Sequence, residues 1–159
     1  MNSHSRGFTL VESLIALLLL SVGLMGAAVL LLEGLKTRAD ALRLSAATRL
    51  LLDMADRIRA NPLARSQYDT RTAVSVSACV NPAPCDPAQR AADDLFHFSS
   101  RSSALFPGPD TAAIITFEPA IGRAAPDRYQ LSLRWHGPRD SPGAHDAVTL
   151  QLLAQPVAG

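Results

Sequence analysis

The sequence is poor in aromatic, cysteine and charged residues, and these shortages exclude several classes of protein. Aromatic residues make up 5% of the 159 residues, which leaves little material for the stacking surfaces of single-stranded nucleic-acid binders. Two cysteines cannot build a disulfide-rich mini-protein or complete a four-ligand zinc site. Charged residues make up 18% and give a net charge of +1, so no overall attraction to nucleic acid or anionic lipid is expected.

Proline is absent from the first 61 residues, and the longest apolar run lies in that same part of the chain. From Leu14 to Leu32, nineteen consecutive residues carry no charge and nine of them are leucine. A helix rises about 1.5 Å per residue, so residues 8–32 would span roughly 37 Å, more than the roughly 30 Å hydrocarbon core of a bilayer. The sequence therefore predicts a segment that enters a membrane.

A secretory signal and a simple signal anchor are the two ordinary interpretations of this segment. Its apolar run is longer than the typical hydrophobic region of a cleaved signal, which has about 7–15 residues. The small residues Gly26-Ala27-Ala28 are followed by Val29-Leu30-Leu31-Leu32 instead of a polar mature start. The signal anchor is the better of these two interpretations.

A more specific interpretation comes from the residues just before the apolar run, Gly7-Phe8-Thr9-Leu10-Val11-Glu12. They resemble the cleavage box of type IV prepilins and of their secretion-system relatives, the pseudopilins. The resemblance implies that a membrane-embedded prepilin peptidase cuts between Gly7 and Phe8 and methylates the new amino terminus at Phe8. Residues 1–7 would then be a cytoplasmic leader, and Glu12 would be the fifth mature residue, where the family has its glutamate.

Glu12 is also unusual on physical grounds. A carboxylate one turn inside an apolar helix is costly unless it is paired, so it is a functional candidate. The amino group of Phe8 exposed by cleavage is a cation at the same depth. Between staggered subunits, the attraction of these two charges would fix how far one helix slides past the next. The alternative is a glutamate that reaches the cytoplasmic headgroups.

Beyond the apolar run, a helical period continues as far as Ile58, and Pro62 predicts a helix end near Ala60. We expect one long helix, with residues 8–35 as its transmembrane half and residues 36–61 as its amphipathic half. The apolar stripe of the second half comprises Leu35, Ala39, Leu42, Ala46, Leu50, Met54 and Ile58, widened by Ala47, Leu51 and Ala55.

The opposite face of this amphipathic half interleaves arginines with aspartates. Three pairs of opposite charge lie at helix-neighbour spacing: Asp40–Arg43, Arg49–Asp53 and Asp53–Arg57. The pattern indicates a solvated helix face rather than a nucleic-acid-binding stripe.

Residues 62–159 predict a small head. Asp86-Pro87 has the chemistry of a helix start, and Ala91, Leu95, Phe98 and Leu105 would form the apolar face of a short helix. We expect the carboxylates of Asp93-Asp94, near that helix start, to interact favourably with the positive end of the helix dipole. Three apolar or alternating runs predict strands: Ala112–Phe117, Tyr129–Trp135 and Val148–Leu152. The fold class is α+β, with a long helix packed on a small antiparallel sheet.

Four segments are similar to landmarks of PilV-type minor pilins: Asp53–Pro62, Asp94-Leu95, Leu105–Gly108 and Tyr129–Trp135. This resemblance implies a minor pilin that helps to initiate type IV pilus assembly and lies at the tip or sparsely along the filament. Val29 departs from many major pilins, which have a kinking proline there, and this departure weakens a major-subunit interpretation.

The resemblance also implies a compartment and a set of partners. The amino terminus would be cytoplasmic and the head periplasmic, although the basic residues after the run favour the reverse by simple count. Partners would be other minor and major pilins, the prepilin peptidase, the inner-membrane assembly machinery and the inner membrane itself, with no nucleic acid. In an oxidising periplasm we expect Cys79 and Cys85 to form a disulfide, whereas a cytosolic domain would keep two free thiols.

The sequence offers no motif of catalysis. It has no glycine-rich phosphate loop or nucleophile elbow, and His97, His136 and His145 do not form a pair at metal-ligand spacing. We expect no enzymatic activity, no metal and no cofactor. Two alternatives to a minor pilin are a pseudopilin of a type II secretion system and a single-pass anchored domain that binds an extracytoplasmic ligand.

Overall fold

The computed structural model describes residues 9–72, 79, 85–121, 126–136 and 145–154. Its helices and strands within those residues are α1 (Leu10–Ala60), a short 3-10 helix (Arg65–Tyr68), α2 (Pro87–Leu105), β1 (Ala112–Glu118), β2 (Asp127–His136) and β3 (His145–Ala154). The architecture is therefore α+β, a long amino-terminal apolar helix followed by a small antiparallel sheet. This confirms the predicted fold class.

Helix α1 begins and ends close to the predicted positions. It ends at Ala60, two residues before Pro62, because the residue before a proline is disfavoured in a helix. The chain divides into two compact units, Met1–Arg43 and Leu44–Gly159. Every described residue of the first unit is exposed.

The second unit has a core built from four sources. Buried residues come from the last turns of α1, from Ala64 and Tyr68 at the 3-10 helix, from one face of α2 and from the inner face of the sheet. Six residues of the predicted α1 stripe are buried as expected: Ala47, Leu50, Leu51, Met54, Ala55 and Ile58. The earlier stripe residues Leu35, Ala39 and Leu42 are exposed, because they precede this unit.

The sheet has the order β1-β2-β3 and both strand pairs are antiparallel. Strand β2 alternates between buried residues and residues that are exposed or, at Ser132, half-buried, and its inner face carries Tyr129, Leu131, Leu133 and Trp135. The alternation predicted for this strand is confirmed. Leu131 pairs with Ile115 on one side and with Leu150 on the other, so one layer of the core crosses all three strands.

Helix α2 confirms one local prediction and corrects two. The Asp86 carboxylate accepts from the Gln89 N–H at 2.7 Å, and the Gln89 amide oxygen accepts from the Asp86 N–H at 3.1 Å, which is a complete capping box. Asp94 is the eighth residue of α2, whereas the helix dipole acts on the first turn. The expectation that Asp94 interacts with the helix dipole at the start of α2 was therefore wrong. Leu105 is also outside the core at 53% exposure, and the next residue, Phe106, is buried in its place.

Candidate functional site

The predicted cleavage and methylation residues, Gly7 and Phe8, lie outside the described residues. The structure does describe the first turn of α1, which follows them. The Thr9 hydroxyl oxygen accepts from the Glu12 N–H at 3.3 Å, and the Thr9 carbonyl accepts from the Ser13 N–H at 3.2 Å. Thr9 therefore acts as a cap, and Glu12 occupies the third helical position. The first turn of a helix favours a carboxylate, since its unpaired N–H groups carry partial positive charge.

The helix beyond Glu12 has an apolar surface. By length and composition it is able to cross a membrane. Its large apolar side chains are exposed from Leu10, at 78%, to Leu35, at 63%. The first charged residue after Glu12 is Glu33, whose Oε1 lies 3.6 Å from Lys36 Nζ. Glu12 therefore lies at one end of an apolar stretch, residues 13–32, that carries no charge.

A second polar group joins α1 to α2 in the second unit; we call it the Asp94 network. The Asp94 carboxylate accepts from Arg57 Nη1 at 2.8 Å and from the Tyr68 hydroxyl at 2.8 Å. Asn61 Nδ2 donates to the Tyr68 oxygen at 3.1 Å and to the Pro87 carbonyl at 2.8 Å. The network thereby connects the end of α1, the 3-10 helix and the first turns of α2.

The network is buried at its centre and extends to the surface through Asp53. Tyr68 is fully buried and the Asp94 side chain is 8% exposed. Asp53 accepts from Arg57 Nε at 3.0 Å and from Arg101 Nη1 at 3.2 Å. The hydrogen bond to Asp94 raises the pKa of Arg57, and burial raises the pKa of the Tyr68 hydroxyl. Both groups therefore stay protonated as hydrogen-bond donors at neutral pH.

Sequence reasoning found only part of this network. It predicted the Asp53–Arg57 pair but placed Asp94 at a helix start. A usable signal was present nonetheless, because Asp94 belongs to the short Asp94-Leu95 landmark and Arg57 and Asn61 belong to the Asp53–Pro62 landmark. The structure brings these two sequence landmarks into direct contact.

A third polar group fixes the chain just after α1. Arg65 donates twice to the Asp127 carboxylate, at 2.8 and 2.7 Å, and this hydrogen bonding lowers the pKa of Asp127. Arg65 has a φ of 35°, a conformation that residues other than glycine rarely adopt. The Tyr129 hydroxyl donates to the Arg65 carbonyl at 3.2 Å, and burial raises the pKa of Tyr129 to about 12. These contacts hold the turn between α1 and the sheet in its unusual conformation.

The two cysteines form a disulfide with a Cα–Cα distance of 5.9 Å. The Cys79 N–H lies 3.4 Å from the Asp93 carboxylate, so this crosslink is attached to α2. Residues 80–84 between the cysteines lie outside the described part of the chain.

The arrangement shows no catalytic chemistry in the part of the chain that the structure describes. No group of three or more metal-ligating side chains occurs among those residues. His97 lies 3.5 Å from Asp93 on α2, whereas His136 ends β2 and His145 begins β3. A shallow cleft of about 390 Å³ at one end of the sheet is lined by Glu118, Arg128, Tyr129, Gln130, Gln151, Leu152 and Leu153, without a nucleophile and base in contact.

Comparison with known families gives two matches. Residues 2–28 match the prokaryotic N-terminal methylation motif, and residues 30–96 match the family of type IV pilin Tt1218. No curated protein and no solved structure matches the chain. The first match includes the Gly7-Phe8 box and Glu12, and the second includes the Asp94 network except for Arg101. Each match covers less than half of the chain, and together with the α+β fold they support a type IV pilin.

Proposed function

We propose that this chain is a PilV-type minor pilin, cut between Gly7 and Phe8, that joins a type IV pilus and helps to initiate its assembly. One observation carries the proposal. A capped first turn places Glu12 just before the charge-free part of α1, residues 13–32, and the methylation motif covers this turn.

The proposed route begins in the inner membrane. Residues 1–7 are the cytoplasmic leader, residues 8–35 span the bilayer, residues 36–61 continue the helix, and residues 62–159 form the periplasmic head. A carboxylate that leaves the headgroup region needs a new cation. The methylated amino group of Phe8 on a neighbouring subunit supplies one, so the pair sets the stagger of adjacent helices as α1 passes from lipid to the filament.

The Asp94 network supports the assignment to a minor pilin. Arg57 and Asn61 belong to the PilV-like segment Asp53–Pro62, and Asp94 belongs to the PilV-like segment Asp94-Leu95. Arg57 joins these two segments by donating to Asp94. The network ties α2 to the last turns of α1 through charged and buried hydrogen bonds. A force on this part of α1 is therefore transmitted directly to the rest of the second unit.

The test is the fate of the subunit in cells that make pili. A tagged chain should appear in the sheared pilus fraction at a small ratio to the major pilin, and its deletion should reduce the number of pili. Normal piliation combined with a defect in protein secretion would contradict the minor-pilin role and favour a pseudopilin. Absence from any filament would favour an anchored binding domain.

A further inference from the structure

Four charged side chains alternate in sign along one side of α1, directly after the charge-free stretch of residues 13–32. Their spacings of three, four and three residues place them within roughly 80° of one another around the helix. All four residues are exposed. We call this set the charge ladder, and its members in order are Glu33, Lys36, Asp40 and Arg43.

The charge ladder is only partly neutralised within the chain. Glu33 and Lys36 form a loose ion pair at 3.6 Å, and their side chains are 66% and 72% exposed. The Asp40–Arg43 ion pair that the sequence predicted does not form, and neither side chain has another ion-pair partner among the described residues. Half of the charge ladder is therefore available for a contact outside the chain.

An exposed apolar seam lies beside the charge ladder. It comprises Leu35, Ala39 and Leu42, whose spacings of four and three residues are those of a coiled-coil seam. Leu35 and Leu42 are each 63% exposed. In a coiled coil such a seam provides the attraction, and the charges beside it select the partner and its register. The first unit thus carries both parts of a helix–helix contact.

Two parallel copies of α1 bring opposite charges together only when they are offset along the helix axis. In register, each charge of the ladder is level with the same charge of the other copy, and a shift of seven residues again makes like charges level. A shift of three or four residues, about 5–6 Å, makes three acid–base pairs level. Such pairs attract, whereas like charges repel. The charge ladder is therefore complementary to a copy of itself at this offset.

The amino-terminal end of α1 requires the same offset. The pairing of Glu12 with the Phe8 amino group of a neighbour, which is part of the proposed function, needs a shift of four residues, about 6 Å. In a pair of copies with that shift, the charge ladder is also level with its opposite charges. One offset thus serves charged groups at both ends of the apolar stretch.

We propose that the charge ladder pairs α1 with the α1 of a second copy, parallel to it in the membrane and offset by three to four residues. The proposal rests on the part of the proposed function that places α1 across a membrane, because insertion with one topology makes two copies parallel. A neighbour with a wholly acidic or wholly basic face would attract one half of the ladder and repel the other. Incorporation beside other pilins does not require this pairing.

The first experiment measures the offset by disulfide crosslinking of the full chain in membranes with a permeable oxidant. Val29 and Leu32 lie on the ladder side of α1, three residues apart, and both are exposed. A copy with Val29→Cys and a copy with Leu32→Cys should crosslink about fivefold faster than two copies with the same substitution, because a disulfide forms only between level positions. Equal rates, or faster crosslinking of identical copies, would overturn the offset.

The second experiment measures self-association of the full chain in neutral phosphatidylcholine vesicles, by energy transfer between two fluorescent labels. Glu33→Lys with Asp40→Lys makes the ladder wholly basic. Lys36→Glu with Arg43→Glu makes it wholly acidic. Each double variant alone should self-associate about thirtyfold more weakly, because three attractions become repulsions. The two variants mixed should pair as tightly as the unchanged chain, and failure of the mixture to pair would contradict the proposal.

Arg38 provides the matched control, since it is exposed on the opposite side of α1 and also has no ion-pair partner among the described residues. Arg43→Glu should weaken self-association about threefold, and Arg38→Glu less than about 1.5-fold. Equal effects would exclude the charge ladder as the contact. Carbonate extraction establishes separately whether each variant is inserted. An inserted chain that does not self-associate, or that crosslinks only to a different pilin, would overturn the pairing and leave the proposed function intact.

Discussion

Replacing Asp94 with alanine should destabilise the fold of the second unit by about 3 kcal/mol. The substitution leaves the fully buried Tyr68 hydroxyl without its acceptor, and an unsatisfied buried donor costs about 1–3 kcal/mol. Arg57 also loses a charge-assisted hydrogen bond. Its side chain is 34% exposed and keeps Asp53 at 3.0 Å, so this loss contributes only about 1 kcal/mol.

Urea unfolding of the full chain in detergent measures this loss. Trp135 is the only tryptophan and is 4% exposed, so its fluorescence reports the loss of the core. A loss of about 3 kcal/mol corresponds to a decrease in Tm of roughly 6–12 °C for a chain of this size. The matched control is Asp56→Ala, which breaks an ion pair with Arg59 at a side chain that is 74% exposed and should change stability by less than about 0.5 kcal/mol.

A double-mutant cycle separates the network from a general effect of the substitution. Tyr68→Phe removes the hydroxyl that Asp94 accepts from, so in that background Asp94→Ala should destabilise by about 2 kcal/mol less. The reasoning is refuted if Asp94→Ala destabilises no more than Asp56→Ala. Strict additivity of the two substitutions would refute the claim that Tyr68 and Asp94 act together.

Three further predictions concern assembly, redox state and pH. Glu12→Ala should insert and be cleaved normally but appear in sheared pili at a strongly reduced ratio, whereas Glu33→Ala should incorporate normally; equal incorporation would contradict the alignment role. Thiol reagents should not label Cys79 or Cys85 before reduction, and labelling without reductant would argue against the disulfide. The hydrogen bond from Arg71 lowers the pKa of Asp69 from 3.8 to about 2. The ionised Asp69 carboxylate therefore stabilises the folded chain fully above the unfolded pKa of 3.8, and this stabilisation is lost as pH falls through about 2. Asp69→Asn should therefore flatten the acid limb of a stability–pH curve, and an unchanged limb would be evidence against this ion pair.

Local patterns in the sequence were sufficient to predict the two α-helices and the three strands, but not the 3-10 helix Arg65–Tyr68. Helix α1 has a continuous helical period followed by Pro62, and α2 begins at a proline preceded by an aspartate cap. Alternation of apolar and polar residues identified β2, because one face of an antiparallel sheet is buried and the other is solvated. Each of these signals depends on residues within a few positions of one another.

The polar contacts could not be predicted in the same way, because their partners are distant in sequence. Arg57 and Asp94 are 37 residues apart, and Arg65 and Asp127 are 62 apart. Which of many arginines meets which aspartate depends on how the helices pack. Leu105 was assigned to the core for a similar reason, since helical periodicity does not show where the neighbouring element ends.

The most direct test of the central claim is the mass of the amino-terminal peptide from cells that contain a prepilin peptidase. The account predicts an amino-terminal peptide that begins at Phe8 and carries one added methyl group on its amino nitrogen. A chain that keeps Met1 to Gly7 in such cells would contradict it.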